Sequence, residues 1–227
     1  MPPLVAAARA CDVEVTAGSA FSATVDLTVK GRDDKTAQRI LGETKAVLEN
    51  ESGELHLYTT EPGTSITRHG RHWNFRSSDD RGWRVEARYR VTLPPSAGLQ
   101  LNLVNGNASV KGLTGELELE SVNGKLEVVA ASKNVSVKTV NGNIVASLTG
   151  LPRGSDVKAE TVNGSVTLRL PANAGFEFQA HTMNGDIVTT FPVSTGDDER
   201  RVADETRRER DKLRAEQDRI RQRMREK

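Results

Sequence analysis

Leu-Val-Asn-Gly at 103–106, Ser-Val-Asn-Gly at 121–124, Thr-Val-Asn-Gly at 139–142 and again at 161–164, and Thr-Met-Asn-Gly at 182–185 decide the fold of this chain. They recur every 18 to 22 residues or so, a spacing that signals stacked repeats. A second break falls between successive Asn-Gly pairs: Thr114-Gly115, Ser132-Lys133-Asn134, Gly150 to Ser155, and Pro171 to Gly175. Each repeat therefore reads as two strands and two corners. Period-2 alternation selects the inward rows. One holds Leu101, Leu119, Val137, Ala159 and Ala180; a second holds Leu103, Ser121, Thr139, Thr161 and Thr182; a third, after the corner, holds Val110, Val128, Ala146 and Leu168. Antiparallel Asn-Gly hairpins would imitate one repeat. They would not keep corner, threonine and apolar rows in one phase. The predicted fold is all-β, a parallel β-solenoid of about five rungs over residues 99–194.

At the corners, Asn and Gly tolerate positive φ. Stacked Asn105, Asn123, Asn141, Asn163 and Asn184 are predicted to form a structural amide ladder between rungs about 4.8 Å apart, with the threonines bonding in the same manner.

Upstream, residues 12–98 read as a β-rich N-terminal cap of strand–helix–strand type. Val13 and Val15, then Val25, Leu27 and Val29, alternate as strands. Asp33 or Asp34 is placed to start a helix over about residues 33–49, with Ala37, Ile40, Leu41, Thr44, Val47 and Leu48 on one face. Leu55 and Leu57 mark a further strand, and Trp83 to Leu93 a long one. These two are expected to pair antiparallel across the polar excursion between them. Pro94-Pro95 stops the pattern.

The chain has 32 Lys+Arg against 31 Asp+Glu, so no global field recruits nucleic acid or an anionic membrane. Aromatic content is 4%, which suits a solenoid of narrow aliphatic rungs. A single cysteine, Cys11, excludes an internal disulfide framework and an all-cysteine zinc site. No apolar run has the length of a membrane span. Residues 1–11 read as an export-signal remnant or a disordered end: Ala8-Arg9-Ala10 has the small-x-small form of a signal-peptidase site, and Cys11 follows where a lipoprotein carries its lipid. Residues 195–227 are almost wholly charged. Asp197/Arg201, Asp204/Arg208 and Asp218/Arg221 stand at helical ion-pair spacing, which predicts a charged C-terminal α-helix, either solvated or oligomerising.

The Asn-Gly corners, together with Leu27 to Asp34 before a helix, Glu54 to Leu57, and Tyr89 to Pro94, resemble the bacterial putative-adhesin family of unknown function. The likeness covers roughly residues 12 to 192 and implies a β-solenoid, an exported or membrane-associated location, and no catalytic residues. It leads to the expectation of a non-enzymatic, adhesin-like scaffold of the cell envelope. Such a scaffold would present a sheet face to glycan or protein. The alternatives are a cytoplasmic self-assembling β-helix, associating through solenoid ends or tail helix, and a polysaccharide-active enzyme. For the last, the carboxylates Glu116, Glu118, Glu120 and Glu127 alternate as a solvated face does.

No cofactor is expected. His69, His72, Trp73, Arg76 and Trp83 are the candidate ligand contacts, because aromatics and guanidinium groups dominate recognition surfaces. His69 and His72 have the spacing of a metal clip but no third ligand, so no metal site is expected.

Overall fold

A computed structural model describes residues 2–69, 72–77, 82–150, 154–170 and 176–189. The charged segment 195–227, and residues 190–194 at the end of the repeat region, lie outside the described residues. The N-terminal part contains β1 (Leu4–Ala17), β2 (Ser22–Gly31), α1 (Asp34–Glu43), β3 (Lys45–Glu51), β4 (Glu54–Thr60), β5 (Thr64–His69), β6 (His72–Ser77) and β7 (Trp83–Leu93). The repeats follow as alternating strands. One set is β8 (Leu99–Asn105), β10 (Leu117–Asn123), β12 (Asn134–Asn141), β14 (Ser155–Asn163) and β16 (Phe176–Asn184). The other is β9 (Ala108–Lys111), β11 (Leu126–Ala130), β13 (Ile144–Leu148), β15 (Val166–Arg169) and β17 (Ile187–Thr189).

Each set stacks in parallel, giving two sheets that meet at the Asn-Gly corners. Sheet A runs β3–β4–β1–β8–β10–β12–β14–β16 and sheet B runs β2–β7–β1–β9–β11–β13–β15–β17. The fold is all-β and solenoid-like, with parallel pairing throughout the repeats. Register keeps like residues together: Leu101 pairs with Leu119, Leu119 with Val137, and Val137 with Ala159. Val110, Val128, Ala146 and Leu168 form the matching row of sheet B and are at most 1% exposed. The core is this double row of small aliphatic side chains, so few aromatics are needed.

The strand β1 belongs to both sheets. Its first half lies between β4 and β8, with Val5 opposite His56 on one side and Gln100 on the other. Its second half lies between β7 and β9. Leu4, Val5, Ala6 and Ala7 are at most 3% exposed. Residues 4–11, read from the sequence as a remnant or disordered end, are thus an interior strand. Apolar β-branched and small residues satisfied by neighbours on both edges explain it.

Cys11 is 6% exposed within that strand. Burial, and then the neighbouring Asp12 carboxylate, push its thiol up to about 12. The folded state therefore holds the proton more tightly than the unfolded state. That contribution to stability is complete below about pH 9 and is lost as the pH rises toward about 12. At pH 8 the thiolate fraction falls by a factor on the order of 1,000, so native protein should resist iodoacetamide. Mass spectrometry should show one adduct only after unfolding; rapid labelling of the native state would show the strand is open.

Two further expectations are corrected. The helix spans Asp34–Glu43, with Asp33 accepting from the Thr36 N–H at 2.7 Å, and it does not continue to 49. Val47 and Leu48 pair instead with Tyr58 and Leu57 across the Ser52-Gly53 turn, where both residues have positive φ. Cross-strand pairing outweighs the helical spacing. Residues 55–60 and 83–93 are not partners of one another: β4 pairs with β3, and β7 with β2, in different sheets.

The corners carry their own hydrogen bonds. Asn123 Nδ2 donates to Asn105 Oδ1 at 2.7 Å, Asn141 to Asn123 at 2.9 Å, Asn163 to Asn141 at 2.8 Å and Asn184 to Asn163 at 2.7 Å. Positive φ is not the reason for Asn here, since Ser52 is the one described non-glycine residue with it. The glycines are set by close approach. A Cβ on Gly124, Gly142, Gly164 or Gly185 would lie less than 3.0 Å from the carbonyl oxygen of the glycine one repeat earlier. Among the described residues the corner threonines bond to main-chain carbonyls and not to one another. Thr161 Oγ1 donates to Gly142 O at 3.0 Å, and Thr182 to Gly164 O at 3.0 Å.

Candidate functional site

Inward Thr139 and Thr161 alternate with outward Val140 and Val162, so the second residue of every quartet projects from sheet A. Val104, Val122, Val140, Val162 and Met183 make an apolar stripe across the repeats. Val122 is 42% exposed, Val140 41% and Met183 70%. A parallel row of Glu120, Lys138 and Glu160 flanks it. Lys138 Nζ stands 3.9 Å from Glu120 and 4.0 Å from Glu160, and Lys158 reaches Glu160 at 3.1 Å. Exposed pairs of this kind contribute about 0–1 kcal/mol each, so the row leaves alternating charge at the surface rather than a rigid clamp.

The hairpin β5–β6 lies over the N-terminal end of this face. The Trp73 ring centroid is 5.2 Å from that of Tyr58 and 6.0 Å from that of His56, both on β4. Arg68 Cζ sits 5.7 Å over the Trp73 ring and its guanidinium pairs with Glu51. Tyr58 OH donates to Glu49 Oε1 at 3.3 Å; burial first, then the Glu49 carboxylate, raises its pKa. Val5, Ala7, Gln100 and Asn102 are buried although they alternate with the inward row. Beyond the hairpin the stripe opens into a groove of about 710 Å³, walled at one end by Trp73, Asn74 and Phe75. That volume is in the range of ligand sites.

The polar groups at the head of this groove are not fully satisfied. His56 Nδ1 and Nε2, Trp73 Nε1 and Asn102 Nδ2 are buried without a hydrogen-bond partner among the described residues, as is Ser121 Oγ on the inward row. The Glu54 carboxylate stands 3.7 Å from His56 Nε2. Each such group costs about 1–3 kcal/mol when left unpaired, which marks the place as one shaped for something other than stability.

Of the contacts proposed from sequence, Trp73 lines the groove and Arg76 is exposed on the same strand. His69 and His72 are backbone register partners at the end of the hairpin. Trp83 opens β7, opposite Gly31 in sheet B, and is separated from the groove. Among the described residues no three His, Cys, Asp or Glu groups are placed to hold a metal ion. No helix of the described residues is long and apolar enough to cross a membrane. Sequence reasoning missed the valine stripe. Its signal was an apolar residue at the outward position of all five quartets.

The family described as Toastrack DUF4097 matches residues 12–218. Among solved structures, a putative cell adhesion protein from Clostridium sporogenes is similar, with a TM-score of 0.41 and 9% identity, over 83% of this chain and 92% of that one. No curated protein matches the chain. With the repeat architecture described and the match extending over most of its length, the chain belongs to the Toastrack DUF4097 family.

Proposed function

We propose that the protein is a non-catalytic, adhesin-like scaffold of the cell envelope that presents the outer face of sheet A to a glycan or protein. The observation that carries this reading is the valine–methionine stripe, held in the open by five successive repeats on a rigid sheet. An aliphatic row is costly to expose and is retained where it meets a partner. The antiparallel strands β2 and β3, with α1 against β2, serve in this reading as the cap of one end. The corner ladder of Asn105, Asn123, Asn141, Asn163 and Asn184 is structural.

A second reading is self-assembly in the cytoplasm. It is supported by β16 and β17, the outermost described strands, where Ile187 is 42% and Val188 54% exposed. One sedimentation experiment separates the two. Purified protein mixed with an isolated envelope fraction should pellet with it, and a Val122→Lys/Val140→Lys pair should reduce that binding roughly tenfold, a loss of about 1.4 kcal/mol. Pelleting without envelope would favour self-assembly. Protein left wholly in the supernatant would count against both readings.

A further inference from the structure

Strand β6 meets the groove with three consecutive residues, Trp73, Asn74 and Phe75. Side chains alternate between faces along a strand, so three neighbours line one groove only where the strand turns its edge toward it. Among the described residues β6 pairs with β5 alone. The edge that faces the groove thus offers main-chain N–H and C=O groups that no described strand takes up. The floor beside it is aliphatic. Every buried side-chain nitrogen or oxygen without a partner among the described residues belongs to His56, Trp73, Asn102 or Ser121. Trp73 and Asn102 line this groove and His56 lies 6.0 Å from the Trp73 ring, whereas the Ser121 side chain belongs to the inward row.

We propose that the groove takes an extended polypeptide segment with aliphatic side chains at alternate positions, added as a strand to the edge of β6 that no described strand occupies. This rests on the reading of the outer face of sheet A as a presented surface. The incoming main chain would complete the β6 ladder, and its aliphatic side chains would rest on Val122 and Val140 while the intervening ones face water. A glycan fits less well. The groove's indole, Trp73, already has Arg68 over its ring and Tyr58 at 5.2 Å, so it lacks a free aromatic platform.

An array of synthetic peptides of about eight residues, the length of an ordinary strand, tests this. The peptides alternate Val, Ile or Leu with Thr or Lys and are probed with the full chain. The tightest is then titrated in solution. Val122→Lys/Val140→Lys should weaken it roughly tenfold. Both sites are exposed, so the variant's thermal midpoint should match the parent's. Methylating alternate peptide nitrogens should abolish binding in one register and spare it in the other. Binding that survives methylation in both registers overturns strand addition and leaves the presented face standing. Binding to a glycan array that the double variant loses, with no peptide bound, overturns the polypeptide occupant alone. No binding on either array, with envelope sedimentation unchanged by the variant, overturns the inference and the reading beneath it.

Discussion

Gly142→Ala should destabilise the protein by about 4 kcal/mol and lower the thermal midpoint by about 8–16 °C, one of the largest effects open to a single methyl group. The new Cβ would enter the space held by the carbonyl oxygen of Gly124. That oxygen is backbone, fixed by a ladder on either side, and cannot swing away as a side chain would. The clash would push two repeats apart and break the hydrogen bond from Gly142 N to Asn163 O, now 2.9 Å. It would also strain the bonds from Asn163 and Thr161 that seat on this corner. Gly42→Ala is the control. Nothing lies within 4 Å of its Cβ position, and alanine in a helix gains about 1 kcal/mol over glycine. Calorimetry on the two variants should therefore move the midpoint in opposite directions. A Gly142→Ala protein as stable as the parent would refute the stacked-glycine account.

Removing residues 1–10, so that the chain starts at Cys11, is the second large effect. The cut would follow Ala8-Arg9-Ala10, the site a leader reading suggests. It would take out the strand between β4 and β8 and leave sheet A in two pieces. Leu4, Val5, Ala6 and Ala7 are buried there, and a buried Leu or Val contributes about 1.5–3 kcal/mol. With the ladder bonds on both edges, the loss is about 5 kcal/mol or more, comparable to the whole stability of many domains. The shortened chain should aggregate, or show Trp73 fluorescence shifted toward that of exposed indole as β4 and its hairpin come free. A soluble product with the parent's circular dichroism and thermal midpoint would show that sheet A does not need this strand.

The repeats were legible in the sequence because each residue there answers to one local rule. Asn-Gly at a fixed phase, an inward row at period 2 and polar residues between them all point to the same coil. The N-terminal region obeys no such single rule. Val47 and Leu48 fit a helical stripe equally well, and only the Ser52-Gly53 turn and the partner strand β4 decide for β3. Residues 4–10 look like a leader because alanine-rich apolar runs serve in both settings; their place in a strand comes from neighbours at residues 55–58 and 99–105, remote in sequence. The site was half legible. Trp73 was named for its chemistry, and it does line the groove. Trp83 was named on the same grounds and lies in the other sheet. The valine stripe was written into every quartet, but it was overlooked because a valine in a strand is ordinarily assigned to the interior.

The double membership of β1 sets the order in which the chain can be built. Its residues leave the ribosome before any of its partner strands, and those that flank it on the repeat side end at Asn105 and Lys111. Until those have been synthesised, one edge of β1 has no mate, and pairing across so long a loop is slow. Each later repeat has only to lay itself on the one before it, a local step. Folding should thus begin with a long wait and finish as rapid one-directional growth, with the synthesis of residues 18–111 as the interval in which the chain most needs protection from aggregation.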